Sequence, residues 1–296
     1  MPTHELRPST LASSAVLSVL ALAALTSGAA GPPPSGRVVT LSLVQSPELG
    51  NVRNVFVYLP PSYDRGVKRY PVLYLQDGQN VFDPGGSLSG REWGADEAAD
   101  ALAARGVEAI VVGVANIGAN RAAEYVPYAI DANDRSTRAD RYATFLVKTL
   151  KPMIDGRFRT KPDRQDTGIG GSSFGAIVSL YAALQHPDTF GFVAAFSPSL
   201  WVADGAMLHA VQNKRFTSPL RAYVDIGTLE GSTPQEAALS VTWTRQLASL
   251  LERGGATVRL VVARDQGHNE AAWAARFPSV LEWFAGGSAR SAVRTP

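Results

Sequence analysis

Residues Gly170–Leu184 read GGSSFGAIVSLYAAL, two adjacent serines between glycines at the head of an apolar run. Register separates the serines. Gly171, Ser172, Ser173, Phe174 and Gly175 fit G-x-S-x-G with Ser173 at the centre, whereas centring on Ser172 puts Phe174 where the second glycine belongs. In this pattern the serine sits on a tight strand-to-helix turn, and side chains two residues to either side would crowd it. Phe174, Ile177, Val178, Tyr181 and Leu184 recur at helical spacing, so Ser173 stands at a helix amino terminus, which favours developing negative charge. A glycine-rich turn capped by a serine is the plainer reading of the same letters. The strand before the motif and the apolar helix after it favour a nucleophile.

Outward from this point strands and helices alternate. Arg37–Gln45 and Val52–Pro60 are predicted as leading antiparallel strands, joined by a turn around Pro47 and Gly50. Tyr70–Gly78 and Glu108–Asn116 carry short β-branched runs suited to strands buried on both faces, and Arg91–Gly106 between them has helical spacing. The expected rhythm continues with a helix over Arg141–Ile154, a strand near Thr167, the helix after Ser173, and strands at GFVAAFS and LRAYVDIG. A helix over Gln235–Arg253, a strand at ATVRLVVA and a helix over Glu270–Phe284 complete it. Such alternation implies an α/β fold with a mostly parallel central sheet and helices on both faces, whose chemistry gathers at the carboxyl ends of the strands.

Composition limits the alternatives. The 296 residues are 45% hydrophobic and 18% charged, enough for one large core over 37–285 and too apolar for disorder. A net charge of +2, without a polybasic run, gives no reason to expect nucleic acid as a partner. Zero cysteines exclude disulfides, thiolate metal sites and cysteine nucleophiles. Residues 1–30 read as a signal peptide, with Arg7 in a short polar start, an apolar stretch from Leu11 to Leu25 and small residues near Ala30. That stretch is short for a stable membrane span, and the reading implies a secreted or periplasmic protein. Residues 31–36 form a proline-rich linker, and 286–296 a flexible tail.

A serine nucleophile needs a base. Of four histidines, His4 falls in the leader, His186 ends a helix before Pro187, and His209 lies in a short helical stretch. His268, in RDQGHNEAAW between a strand and the last helix, is on a loop at the catalytic edge and is the candidate. The acid that orients it is sought between Ser173 and His268. Glu230, past the end of YVDIG in a loop broken by Gly227 and Gly231, is favoured over Asp225 inside the strand, and over Asp265 and Asp204. For an oxyanion, one donor is the Phe174 backbone N–H. The second comes from QDGQN, at Gln79 or Asn80, in a loop that Asp77 pins.

With these residues assembled the chain resembles the esterase D family of α/β-hydrolases, which includes feruloyl and acetylxylan esterases, S-formylglutathione hydrolase, enterochelin esterases and the antigen 85 mycolyltransferases. The segments YPVLYLQDGQNVFD, VVGVANIGANRAAEY, GGSSFGA, HPDTFGFVAAFSPSLW, DIGTLEG and GHNEAAW carry the resemblance over about Arg37–Phe284. It implies an α/β-hydrolase fold, a serine hydrolase that cleaves carboxylic esters through an acyl-enzyme, and Ser173, Glu230 and His268 as triad, with no cofactor and no metal. One departure is Gln76, where many members have histidine. The expected substrate is a small-molecule or carbohydrate-linked ester. Trp201, Trp93, and Tyr125 and Tyr128 in the long loop Asn116–Arg138 could line a cleft for an aromatic acyl group or a sugar ring, core or loop packing being an equal reading of each. Arg121 could clamp a substrate carboxylate or phosphate, an ion pair with Glu124 being the plainer role. Acyl transfer to a sugar hydroxyl, or a binding protein that keeps the fold without turnover, would use the same scaffold.

Overall fold

Eight strands form one sheet in the order β1-β2-β4-β3-β5-β6-β7-β8. They are β1 (Arg37–Ser46), β2 (Asn51–Leu59), β3 (Val72–Gln76), β4 (Ile110–Val114), β5 (Thr167–Ser172), β6 (Phe192–Phe196), β7 (Arg221–Gly227) and β8 (Thr257–Ala263). β1 pairs with β2, and β2 with β4, antiparallel; every other pairing is parallel. The computed structural model describes Met1 and residues 35–82, 90–129 and 136–291, the last four by backbone only. The expected leader, most of the linker and the last five residues lie outside the described residues. The described residues from 35 onward form one compact unit. Among the described residues no helix is long and apolar enough to cross a membrane.

Strand alternation distributes the core to both faces of the sheet. Val72 and Tyr74 of β3, with Val193 and Ala195 of β6, face one cluster; Leu73, Leu75, Phe192, Ala194 and Phe196 face the other. The first cluster packs under α5 (Phe174–Gln185), α6 (Ala206–Gln212) and α7 (Pro234–Arg253), the second under α1 (Ala95–Ala103) and α8 (Glu270–Ser291). Each Leu or Phe so buried contributes about 1.5–3 kcal/mol against leaving it exposed.

Element boundaries depart from the sequence expectation where backbone geometry intervenes. α1 starts at Ala95 rather than Arg91 because Gly94 takes a left-handed φ of 58° just before it. The expected Arg141–Ile154 helix is longer and composite: α3 (Ala139–Thr144), a π-helical turn over Phe145–Leu150, and α4 (Lys151–Arg157). Pro152, which has no N–H to return to the preceding turn, lies where the π turn gives way to α4. The Asn116–Arg138 connection holds α2 (Arg121–Tyr125). α8 runs to Ser291, past the expected start of the tail. Arg221 donates to the carbonyls of Trp283 and Phe284, holding the helix there.

Candidate active site

Non-glycine residues leave the sheet's carboxyl edge through left-handed backbone at four points: Asp77 (φ 57°) after β3, Ser173 (59°) after β5, Ser197 (45°) after β6 and Asp265 (57°) beyond β8. Each such residue costs of order 1–3 kcal/mol, and clustering at one edge marks where surrounding structure holds strain for a purpose. Ser173 is held by its N–H on Phe196 O (3.0 Å) and by its carbonyl, which accepts from Ala176 (3.1 Å) and Ile177 (3.3 Å) as α5 begins. The flanking glycines are sterically required. A Cβ on Gly171 would come 2.9 Å from the Gln76 Cβ, and one on Gly175 3.0 Å from the same atom. Gln76, the departure from the family pattern, therefore packs beneath the turn, where its Oε1 accepts from the Tyr142 hydroxyl.

His268 stands on the loop between β8 and α8, 40% exposed, with Nδ1 2.8 Å from Glu230 Oε2. Its ring meets the Trp273 indole edge-on, centroids 5.0 Å apart. The other Glu230 oxygen accepts from the Gly227 N–H (2.6 Å) and the Ser197 hydroxyl (2.5 Å). The Ser197 hydroxyl in turn accepts from Trp273 Nε1 (2.9 Å) and Arg276 Nη2 (3.3 Å). Asp225 is turned away into the core, where it binds Arg276 (2.6 Å), the Tyr223 hydroxyl (2.8 Å) and the Ser197 N–H (2.9 Å). Burial pushes the Asp225 carboxyl above its ordinary pKa, with Arg276 opposing. Asp204 and Asp265 are exposed, and Asp265 meets Thr228 through its backbone N–H. Of the four candidate carboxylates Glu230 alone is hydrogen-bonded to His268.

Ser173, Glu230 and His268 line one cavity of about 770 Å³. The Ser173 hydroxyl bonds Ser199 Oγ at 3.1 Å, and among the described residues it makes no hydrogen bond to His268. Such contacts commonly tighten only when substrate is bound.

On the other side of Ser173 the loop after β3 is drawn close to β4. A Cβ on Gly78 would fall 2.4 Å from the Gly113 carbonyl carbon. Asn80 spends its N–H on Asp77 O (2.7 Å). Among the described residues the N–H groups of Gln79 and Phe174 meet no carbonyl oxygen. The loop is pinned as expected: Asp77 accepts from Asn116 Nδ2 (2.6 Å) and from Arg121 in a fork (2.7 and 2.8 Å).

Two expected substrate contacts are corrected by these positions. Tyr125 is fully buried, its hydroxyl accepting from the Asp77 N–H (3.2 Å), and burial raises its pKa well above the ordinary tyrosine value. Arg121 lies beside Asp77 rather than Glu124, with its guanidinium 5.5 Å from the Phe174 ring centroid. Burial disfavours its charge, but the bonds to Asp77 more than offset this and its pKa is raised. Glu124 pairs with Arg53 instead. Trp93 is core, stacked among Phe196, Trp273 and Phe277, and Tyr128 packs half-buried near Met207. Trp201 does line the cavity, 57% exposed, next to Phe174. Sequence reasoning missed Ser197 and Ser199, both in the SPS stretch after β6, and Leu239 and Trp243, an i, i+4 pair on α7. Among the described residues no cluster of His, Asp and Glu is arranged to hold a metal ion.

A mostly parallel sheet carrying a serine elbow beyond β5 and a histidine–carboxylate pair beyond β8 and β7 defines an α/β-hydrolase. The family model described as "Putative esterase" matches residues 46–284, and the chain belongs to that family of carboxylic ester hydrolases. It is 28% identical over 244 residues to the Bacillus subtilis (strain 168) protein YbbA, covering 79% of this chain and 93% of that one. The iron(III) enterobactin esterase of Dickeya dadantii (strain 3937) is 28% identical over 188 residues, 60% of this chain and 37% of that one. The solved structure of the siderophore hydrolase EstB from Aspergillus nidulans superposes with a TM-score of 0.68 at 18% identity, covering 96% of this chain and all of that one.

Proposed function

We propose that the protein is a serine esterase in which Ser173, His268 and Glu230 act in sequence. The observation that carries this reading is the 2.8 Å pair of His268 and Glu230 in the cavity that Ser173 enters from a strained turn. A neutral imidazole that donates Nδ1–H to Glu230 presents a bare Nε2, the atom a general base needs. His268 takes the Ser173 hydroxyl proton as Oγ bonds the ester carbonyl carbon. The negative charge moves to the carbonyl oxygen, and the N–H groups of Phe174 and Gln79 receive it. Collapse breaks the carbon–oxygen bond to the alcohol, which leaves with the proton from His268. Water then repeats the cycle on the acyl-enzyme, releasing the acid and restoring Ser173. The engagement of the Asn80 N–H by Asp77 O favours Gln79 over Asn80 as second donor. The apolar stretch Leu11–Leu25 supports export, which amino-terminal sequencing of the mature protein tests.

The deciding experiment is labelling with a fluorophosphonate, with peptide mapping, beside ester hydrolysis by wild type and Ser173→Ala. Label on Ser173 and loss of turnover in the variant are expected. Normal turnover by Ser173→Ala would refute the mechanism.

A further inference from the structure

We propose that the ester's alcohol half leaves the Ser173 cavity past His268 and lies in a second groove, between the 228–234 loop and the start of α7, so that the preferred substrates are neutral esters of extended apolar alcohols. The inference rests on the serine-esterase reading and assigns its leaving-group site. In that reading His268 protonates the leaving oxygen, which therefore departs within hydrogen-bond reach of the imidazole. The wall on that side is the loop following β7. Glu230 holds the ring, the Leu229 N–H donates to Gln266 O (2.9 Å), and Thr228 Oγ1 accepts from the Asp265 N–H (2.9 Å).

That loop divides two spaces. Leu229, Gly231 and Ser232 line the 770 Å³ cavity and also a groove of about 580 Å³ behind it, whose far side is Pro234, Ala238 and Val241. Leu229 is 60% exposed and forms the ridge between them, while Leu239, 46% exposed, stands with Trp201 at the cavity. Large apolar side chains gathered at one opening mark a surface that takes an apolar ligand. Charge narrows the ligand further. Among the described residues neither space is lined by Lys or Arg, and the carboxylates Glu230 and Glu236 line the cavity but not the groove, Glu236 accepting from the Ser232 N–H (2.7 Å). An alcohol carrying a carboxylate or phosphate would find no Lys or Arg among the described residues lining the groove, and would pass Glu230 and Glu236 on its way there.

The test holds the acyl group at acetyl and lengthens the alcohol, comparing ethyl, butyl and octyl acetate with 8-acetoxyoctanoate, all in monomeric solution. Wild type, Ala238→Glu and Ala238→Arg are compared; Ala238 is an exposed helix position that lines the groove but not the catalytic cavity. Wild-type kcat/KM is expected to rise at least tenfold from ethyl to octyl acetate and to fall at least tenfold again for the carboxylate ester. Ala238→Glu should remove most of the octyl gain with ethyl acetate turnover within twofold of wild type, and Ala238→Arg should recover the carboxylate ester. A wild type indifferent to alcohol length or charge, or an Ala238→Glu protein impaired equally on ethyl and octyl acetate, overturns the groove. Turnover of ethyl acetate by Ser173→Ala, or none by wild type on any of the esters, instead overturns the reading beneath it.

Discussion

Ser197 Oγ lies 2.5 Å from Glu230 Oε1, and the hydroxyl can make that bond in only one sense. Trp273 Nε1 and Arg276 Nη2, at 2.9 and 3.3 Å, are groups that only donate, so they take the Ser197 lone pairs and its proton points to Glu230. With the Gly227 N–H on the same oxygen, Glu230 is left with Oε2 for His268. Ser197→Ala removes a hydrogen bond to a charged group, worth about 1.5–3 kcal/mol, and leaves two buried donors facing a methyl group. If that energy is lost from orientation of the pair, kcat falls by about tenfold to a hundredfold with KM nearly unchanged. Steady-state kinetics on the purified variant checks this; unchanged kcat would remove Ser197 from the positioning of Glu230.

The two carboxylates of the DIGTLE stretch should separate by what their loss disturbs. Asp225 is fully buried against Arg276, so Asp225→Asn strands a buried guanidinium at a cost of about 3–5 kcal/mol. For a unit of this size that lowers Tm by about 10 °C. Glu230→Gln keeps the side-chain volume and should leave Tm within a few degrees while reducing kcat by about ten-thousandfold. Thermal melts and kinetics on the two variants decide; a catalytic loss confined to Asp225→Asn would assign the acid to Asp225 instead.

The alternation of elements was readable because β3, β4 and β6 are short apolar runs, and the places of Ser173 and His268 beyond strand ends were readable because their glycine and loop contexts are local. The Glu230 choice came from its place beyond the strand end, which is also local. What sequence could not supply was partnership across the sheet. Arg121 precedes Glu124 by three residues on α2, so local spacing suggested that pair, yet Asp77 and Arg53, 44 and 71 residues away in the chain, take the two charges. Tyr125 and Trp93 looked like cleft aromatics because their letters do not reveal which side of the sheet edge they occupy. Ser197 was hidden for a related reason: its role depends on Trp273 and Arg276, which arrive from α8.

Arg121 joins the two sides of the proposed oxyanion site. Its fork fixes Asp77, which precedes Gly78 and Gln79, and its guanidinium packs on the Phe174 ring. A lysine keeps the charge but not the two parallel bonds, so Arg121→Lys should loosen the loop without removing a substrate contact. The expected result is a kcat lower by about tenfold, less than the hundredfold or more that follows loss of an oxyanion donor itself, with KM unchanged. Affinity for a boronic acid, which mimics the tetrahedral intermediate, should fall in step with kcat/KM. A raised KM with normal kcat would return Arg121 to the role of substrate contact.

Asp96, in the first turn of α1, carries a buried Oδ1 with no hydrogen-bond partner among the described residues, and burial followed by the adjacent Glu97 pushes its carboxyl up to about 7. An unfolded aspartate titrates near 4, so between roughly pH 4 and 7 the native state holds a proton that the unfolded state has released. Stability contributed by this group is therefore complete below about pH 4, declines as pH rises through the window, and is absent above 7. Asp96→Asn removes the titration. The helix amino terminus favours an anion there and works against the variant, so a net gain at pH 8 would mean that the cost of burying the charge exceeds the dipole's benefit. Melting curves at pH 4, 6 and 8 should show equal Tm at pH 4 and a growing advantage for Asp96→Asn thereafter. An advantage independent of pH, or none at pH 8, would show that Asp96 is not the group that makes stability fall across this range.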